Sequence, residues 1–147
     1  VLNAVQRRSP EARAAVLARA GEIAAGQGSI EGPLDRWFTE GQQDVRAEVA
    51  GWLGRVSQAG YAAAYRAFAE GDCIYADRFD EIHCPLMVLT ADGDANSTPE
   101  MTRAMAAAAP HGCAVVIEGH RHMVNLTAPQ AVSEALQSWL STTEIAA

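Results

Sequence analysis

Lysine is absent: all 11 basic residues of the chain are arginines. Long apolar runs are absent too. The longest, Leu86–Leu89 and Ala104–Pro110, fall far short of the ~20 residues a spanning helix needs, so no membrane partner is expected. No secretory signal is visible. Positive charge is scarce in one half only. Residues 1–70 hold 8 arginines against 8 acids, and the remainder 3 against 10, so the net charge of −7 lies wholly in the second half. A nucleic-acid partner would need a basic face, which this balance excludes, and it offers no long-range attraction to anions. Cysteines are few, odd in number and widely spaced: Cys73, Cys84 and Cys113. They read as reduced residues in or near the core of a cytoplasmic protein. What remains is 147 residues at 49% hydrophobic content, enough for an ordinary globular core.

Val1-Leu-Asn-Ala-Val5 reads as the tail of a strand, and a lone strand leaves its backbone groups without partners. Residues 1–8 are therefore expected to be the end of a core strand and the entry to a cap. Ser9-Pro10-Glu11 is a helix start, with a capping hydroxyl, a first-turn proline and an acid at the positive dipole end. Val16, Leu17, Ala20 and Ile23 then mark one helix face, interrupted by Gly26-Gln-Gly-Ser29 and Gly32-Pro33. Val45, Val49, Trp52, Leu53 and Val56 form a second stripe, and Tyr61, Tyr65 and Phe68 a third, with the break expected at Gly60. Residues 9–70 thus predict an all-helical unit whose aromatics are mostly core, with Trp37 outside the clean stripes. From residue 71 the pattern changes to strand (86–90), helix (98–109), strand (114–118) and helix (129–140). The last helix carries Val132, Leu136, Trp139 and Leu140 on one stripe. Alternation of this kind implies an α/β class with parallel strands covered by helices.

Both strands end in groups able to do chemistry. Pro85-Leu-Met-Val-Leu-Thr-Ala-Asp-Gly-Asp94 ends in acids, and Cys113-Ala-Val-Val-Ile-Glu-Gly119-His-Arg-His122 ends in histidines. In open α/β sheets, ligands and catalytic groups collect beyond the carboxyl ends of strands. A carboxylate that accepts from one imidazole nitrogen fixes the tautomer and frees the other nitrogen to act as a base. Asp92 or Asp94 could be the acid, and His120 or His122 the base. His83-Cys84, His111, Cys113 and the two later histidines also supply metal-donor types, but at spacings that match no common zinc pattern, so no metal or other cofactor is expected.

On these residues the chain resembles the α/β-hydrolase fold family, particularly small bacterial esterases, enol-lactonases and C–C bond hydrolases. Ala91-Asp-Gly-Asp94 fits the family's acid loop with alanine for the usual glycine. Ile117-Glu-Gly-His-Arg-His122 fits its histidine loop, with Glu118 and Arg121 as departures. Asn125-Leu-Thr-Ala-Pro129 and the closing helix match as well. Leu34-Asp-Arg-Trp-Phe38 and Gly60-Tyr-Ala-Ala-Ala-Tyr65 resemble the family's helical cap. The resemblance implies the C-terminal part of an α/β-hydrolase sheet (71–147) carrying an inserted cap (9–70). It makes Asp94 the triad acid, His122 the base, and Trp37 a candidate wall of the substrate pocket. Arg121 could depress the base, bind a substrate carboxylate or simply be solvated, and the solvated role is the expectation.

The family's nucleophile sits in Gly-x-Ser-x-Gly, and no serine or cysteine here has glycine at both −2 and +2. The implied serine and oxyanion hole would precede Val1, on an N-terminal fragment or subunit, and this chain alone would be inactive. The expectation is a hydrolase of small esters, lactones or related carbonyl compounds. The alternative is a non-catalytic interaction domain derived from one.

Overall fold

A computed structural model of the chain describes residues 1–143. Four helices come first: α1 (Pro10–Ala24), α2 (Glu31–Trp37), α3 (Gln43–Leu53) and α4 (Gln58–Gly71). Then follow β1 (Leu86–Ala91), α5 (Pro99–Ala108), β2 (Gly112–Ile117), the single turn α6 (Val124–Thr127) and α7 (Pro129–Thr142).

β1 and β2 are parallel, in register from Leu86 opposite Gly112 to Ala91 opposite Ile117. Residues 1–3 lie along the other edge of β1, where Leu89 N donates to Val1 O (2.8 Å) and Asn3 N to Leu89 O (2.9 Å). β1 is thus paired on both sides, and all six of its residues are buried. That is why it reads as a near-continuous apolar run. Its pleat sends Leu86 and Val88 to one face, against Met105, Ala106 and Ala109 of the α5 crossover. Met87, Leu89 and Ala91 go to the other face, against Val124 and Val132. Val88, Leu89, Met105 and Val124 are each at most 1% exposed, and burying such a side chain contributes about 1.5–3 kcal/mol. On α7 the expected stripe is only half covered: Val132 is buried and Trp139 packs on the sheet, but Leu136 and Leu140 are exposed.

In the helical segment α1 begins as expected, with Ser9 Oγ accepting from Ala12 N (3.2 Å) and Pro10 in the first turn. Gly32 and Pro33 do not interrupt a helix; they occupy the first turn of α2, where a missing N–H costs nothing. The break before α4 falls at 54–57 rather than Gly60. Ser57 caps α4 by accepting from Gly60 N (3.3 Å), so Gly60 lies inside the first turn. Val56 consequently falls beyond α3 and is exposed, as are Trp52 and Phe68, which were expected in the core. The core of this segment is Leu34, Phe38 and Val49, joined by Met123 and Leu126 from the sheet side.

The two ends of the helical segment meet at a buried carboxylate. Asp72 O accepts from Arg7 N (3.0 Å), Asp72 Oδ2 accepts from Arg8 N (2.9 Å), and Oδ1 pairs with Arg13. The cysteines are free, but Cys73 and Cys84 are exposed rather than near-core, because each lies in irregular chain beside an element and not within one. Among the described residues no helix is long and apolar enough to cross a membrane.

Candidate active site

The turn after β1 is built around the Asp94 side chain. Asp94 Oδ1 accepts from Asn96 N (2.8 Å) and Ser97 N (3.0 Å), which closes the turn locally. Oδ2 accepts from Asn3 Nδ2 (2.7 Å) and from His122 Nδ1 (2.9 Å). Thr90 Oγ1 shares its one proton between Oδ2 at 3.2 Å and the Ser97 carbonyl at 2.7 Å. Asp94 is 2% exposed. Burial pushes its carboxyl upward, but the hydrogen bond and charge of His122, with Ser97 N and Asn3, outweigh it and hold Asp94 below the ordinary aspartate range.

An ionised carboxylate only accepts, so the proton between the two side chains belongs on His122 Nδ1. The other ring nitrogen, Nε2, then carries a lone pair, as a general base requires. His122 is one wall of a cavity of about 360 Å³ that Val16, Trp37, Tyr65, Phe68 and Met101 also line. The Trp37 and His122 rings are 5.7 Å apart between centroids and tilted by 36°. Trp37, Asp94 and His122, the three residues singled out from sequence, are therefore brought together.

The rival pair does other work. Asp92 Oδ1 accepts from Gly119 N (2.8 Å) and His120 N (3.4 Å), and Gly93 N donates to His120 O (3.0 Å). The acid and histidine loops are laced together so closely that a Cβ on Gly93 would stand 2.8 Å from His120 O. His120 Nδ1 lies 2.8 Å from Thr127 Oγ1 and 3.3 Å from Gln42 Nε2. Asp92 and His120 thus fix the loops on which Asp94 and His122 meet.

Arg121 is not a solvated side chain. Its Nη1 donates to Asp35 O (2.6 Å) and Phe38 O (2.7 Å), at the end of α2. Asp35 O lies in the last turn, at the negative end of the helix dipole and without a helical partner, and Phe38 O follows in the extended C-cap, which is why a guanidinium docks there. Sequence reasoning also missed Asn3, whose only signal was its place at the end of a strand beside Asp94. Among the described residues no three His, Cys, Asp or Glu side chains are grouped so as to hold a metal ion.

Known proteins resemble this chain over nearly its whole length. The profile of the Alpha/beta hydrolase family matches residues 1–135. The (E)-2-((N-methylformamido)methylene)succinate hydrolase of Acinetobacter baylyi is 52% identical over 145 residues, or 97% of this chain and 55% of that protein. A thermophilic esterase from Thermogutta terrifontis, solved with malate bound, superposes with a TM-score of 0.80 at 26% identity, over 95% of this chain and 54% of that one. The enol-lactonase from Burkholderia xenovorans superposes with a TM-score of 0.74 at 22% identity, again over 95% and 54%, a likeness of fold alone. The chain spans about half the length of the relatives it matches.

Proposed function

The chain belongs to the alpha/beta hydrolase family, and we propose that it hydrolyses a small carbonyl substrate through a Ser-His-Asp triad. The serine and the oxyanion hole are contributed from outside these 147 residues. The observation that carries this reading is the 2.9 Å bond from His122 Nδ1 to Asp94, on a histidine that lines a cavity. His122 Nε2 takes the proton of the serine hydroxyl as its oxygen attacks the substrate carbonyl. Asp94 holds the ring in place and stabilises the imidazolium that forms. The same proton then passes to the leaving oxygen or nitrogen, and the acyl group stays on the serine. In the second half, His122 takes a proton from water. The resulting hydroxide attacks the acyl carbonyl, and the proton returns to the serine oxygen as the acid departs. The helical segment 9–70 acts as a cap, and Trp37 forms the pocket wall over His122.

The named substrate of the Acinetobacter baylyi relative carries an N-methylformamido group, through its nitrogen, on a methylene carbon of succinate, and it is the first molecule to test. The test combines this chain with the remaining part of that relative and follows hydrolysis of its named substrate and of p-nitrophenyl acetate. Turnover that falls at least ~10³-fold with His122→Ala supports the proposal. A folded complex that hydrolyses neither compound sinks it, and leaves the interaction-domain alternative.

A further inference from the structure

The cavity beside His122 is charged in a way the triad does not use. Its walls include Arg8, Arg19 and Arg36 and no aspartate or glutamate. Arg8 is 9% exposed, and its side chain only 4%. Its Nη1 donates to Phe68 O (3.3 Å) and stands 3.5 Å from Asp72 Oδ1, with the guanidinium 4.2 Å over the Phe68 ring. Nη2 has no partner at all. Among the described residues five buried side-chain atoms lack a hydrogen-bond partner, and three of them are N–H donors: Arg8 Nη2, Arg19 Nε and Trp37 Nε1. All three belong to residues that line this one cavity.

Buried donors are nearly always satisfied, so their concentration on residues lining one space favours an acceptor there. The charge balance asks for the same. Asp72 is the carboxylate facing Arg8, at 3.5 Å, and it is shared with Arg13, whose side chain is 33% exposed, so the buried Arg8 guanidinium holds only part of one carboxylate. Burial lowers the pKa of Arg8, opposed by Asp72, yet a guanidinium stays protonated in proteins. A buried charge that is only partly compensated gains from a second anion.

We propose that this cavity is a carboxylate subsite: Arg8 Nη2 anchors a carboxylate of the substrate, Trp37 Nε1 supplies a second donor, and the hydrolysable carbonyl is thereby held at His122. This rests on the hydrolytic role proposed above and narrows its substrates to carboxylate-bearing ones. A planar guanidinium fork held by burial is suited to a carboxylate, and the Trp37 indole N–H belongs to the same cavity lining.

The probe is succinate, titrated by calorimetry into the full chain complemented as above, with succinamide and inorganic phosphate in parallel. Succinate should bind, and succinamide should not compete. Arg8→Gln should weaken succinate by ~10- to 100-fold, the effect of losing one charge-assisted hydrogen bond. Because Arg8 also holds Phe68 O, that variant could fail to fold. Trp37→Phe, which removes the indole donor together with part of the ring, should weaken succinate by ~3- to 10-fold. Unchanged affinity in a folded Arg8→Gln, or in Trp37→Phe if Arg8→Gln does not fold, overturns the proposal. So does phosphate that binds as tightly as succinate. Asp94→Asn separates this reading from the catalytic one, since Asp94 does not line the cavity. Arg8-dependent succinate binding with no turnover dependence on Asp94 leaves the subsite standing and the triad refuted. Lost turnover on Asp94→Asn with Arg8-independent binding does the reverse.

Discussion

The segment from β1 to α7 and the segment from α1 to α4 acquire their order by different means. In the first, register and local turns do most of the work. Every residue of β1 is buried, Asp94 gathers two backbone N–H groups from its own turn, and Asp92 laces the neighbouring loop to it. The second segment has short helices and exposed aromatics such as Trp52 and Phe68. It is tied to the sheet side by the Leu34–Phe38 core against Met123 and Leu126 and by two polar links, Arg121 to α2 and Gln42 to His120. Rigid elements hold the candidate proton-transfer pair, and a more loosely tied segment supplies the wall over it. That is the division expected where one fold serves many substrates.

The comparison is broken most directly at Asp94. If chemistry resides on the sheet side, Asp94→Asn in the complemented protein should lower kcat by about 10⁴ while KM stays within about twofold. The amide would present a donor or a weaker acceptor to Nδ1 and permit the wrong tautomer. Steady-state kinetics on p-nitrophenyl acetate measures both constants. A loss under about tenfold would remove the sheet side's claim to the chemistry.

Stability gives the next contrast. A Cβ on Gly112 would stand 2.0 Å from the Ala106 carbonyl oxygen, because the end of α5 closes directly onto the start of β2. Backbone on backbone cannot yield cheaply, so Gly112→Ala should cost about 3 kcal/mol or more. Gly21, inside α1, has nothing within 4 Å of the same position. There alanine should stabilise by about 0.5–1 kcal/mol through helix propensity alone. Urea unfolding of both variants reads the two signs, and equal destabilisation would show that the helical segment is packed as tightly as the sheet.

The same division governs what was legible in the sequence. The strands were, because β1 is buried on both faces and so is apolar throughout. The cap Ser9-Pro10 was, because capping acts over three residues. The meeting of Asp94 with His122 was legible because strand ends lie side by side in a parallel sheet and the family resemblance chose between neighbours two apart. Missed were Arg8, Asn3 and Arg121, whose partners Asp72, Asp94 and Phe38 are 64, 91 and 83 positions distant. No local pattern encodes such pairings. The misplaced break at Gly60 has a local cause: a serine cap at Ser57 decided the helix start, and a glycine in a first turn is tolerated.

Arg121 is the point at which the two segments can be uncoupled. It sits between His120 and His122 but spends its donors on Asp35 O and Phe38 O, the carbonyls that flank Trp37 at the end of α2. It touches nothing in the Asp94–His122 pair through hydrogen bonds, so its role is to position the wall over the histidine. Arg121→Ala should therefore destabilise by about 1–2 kcal/mol through two unanswered carbonyls. It should raise KM about three- to tenfold while kcat changes less than about threefold, since the proton-transfer groups stay where they are. Arg121→Lys keeps a cation able to donate to both carbonyls and should recover part of the lost KM, which a residue acting only through bulk would not. If instead kcat collapses and KM holds, Arg121 belongs with the chemistry, and the boundary between a rigid catalytic side and an adjustable recognition side runs through α2 rather than beneath it.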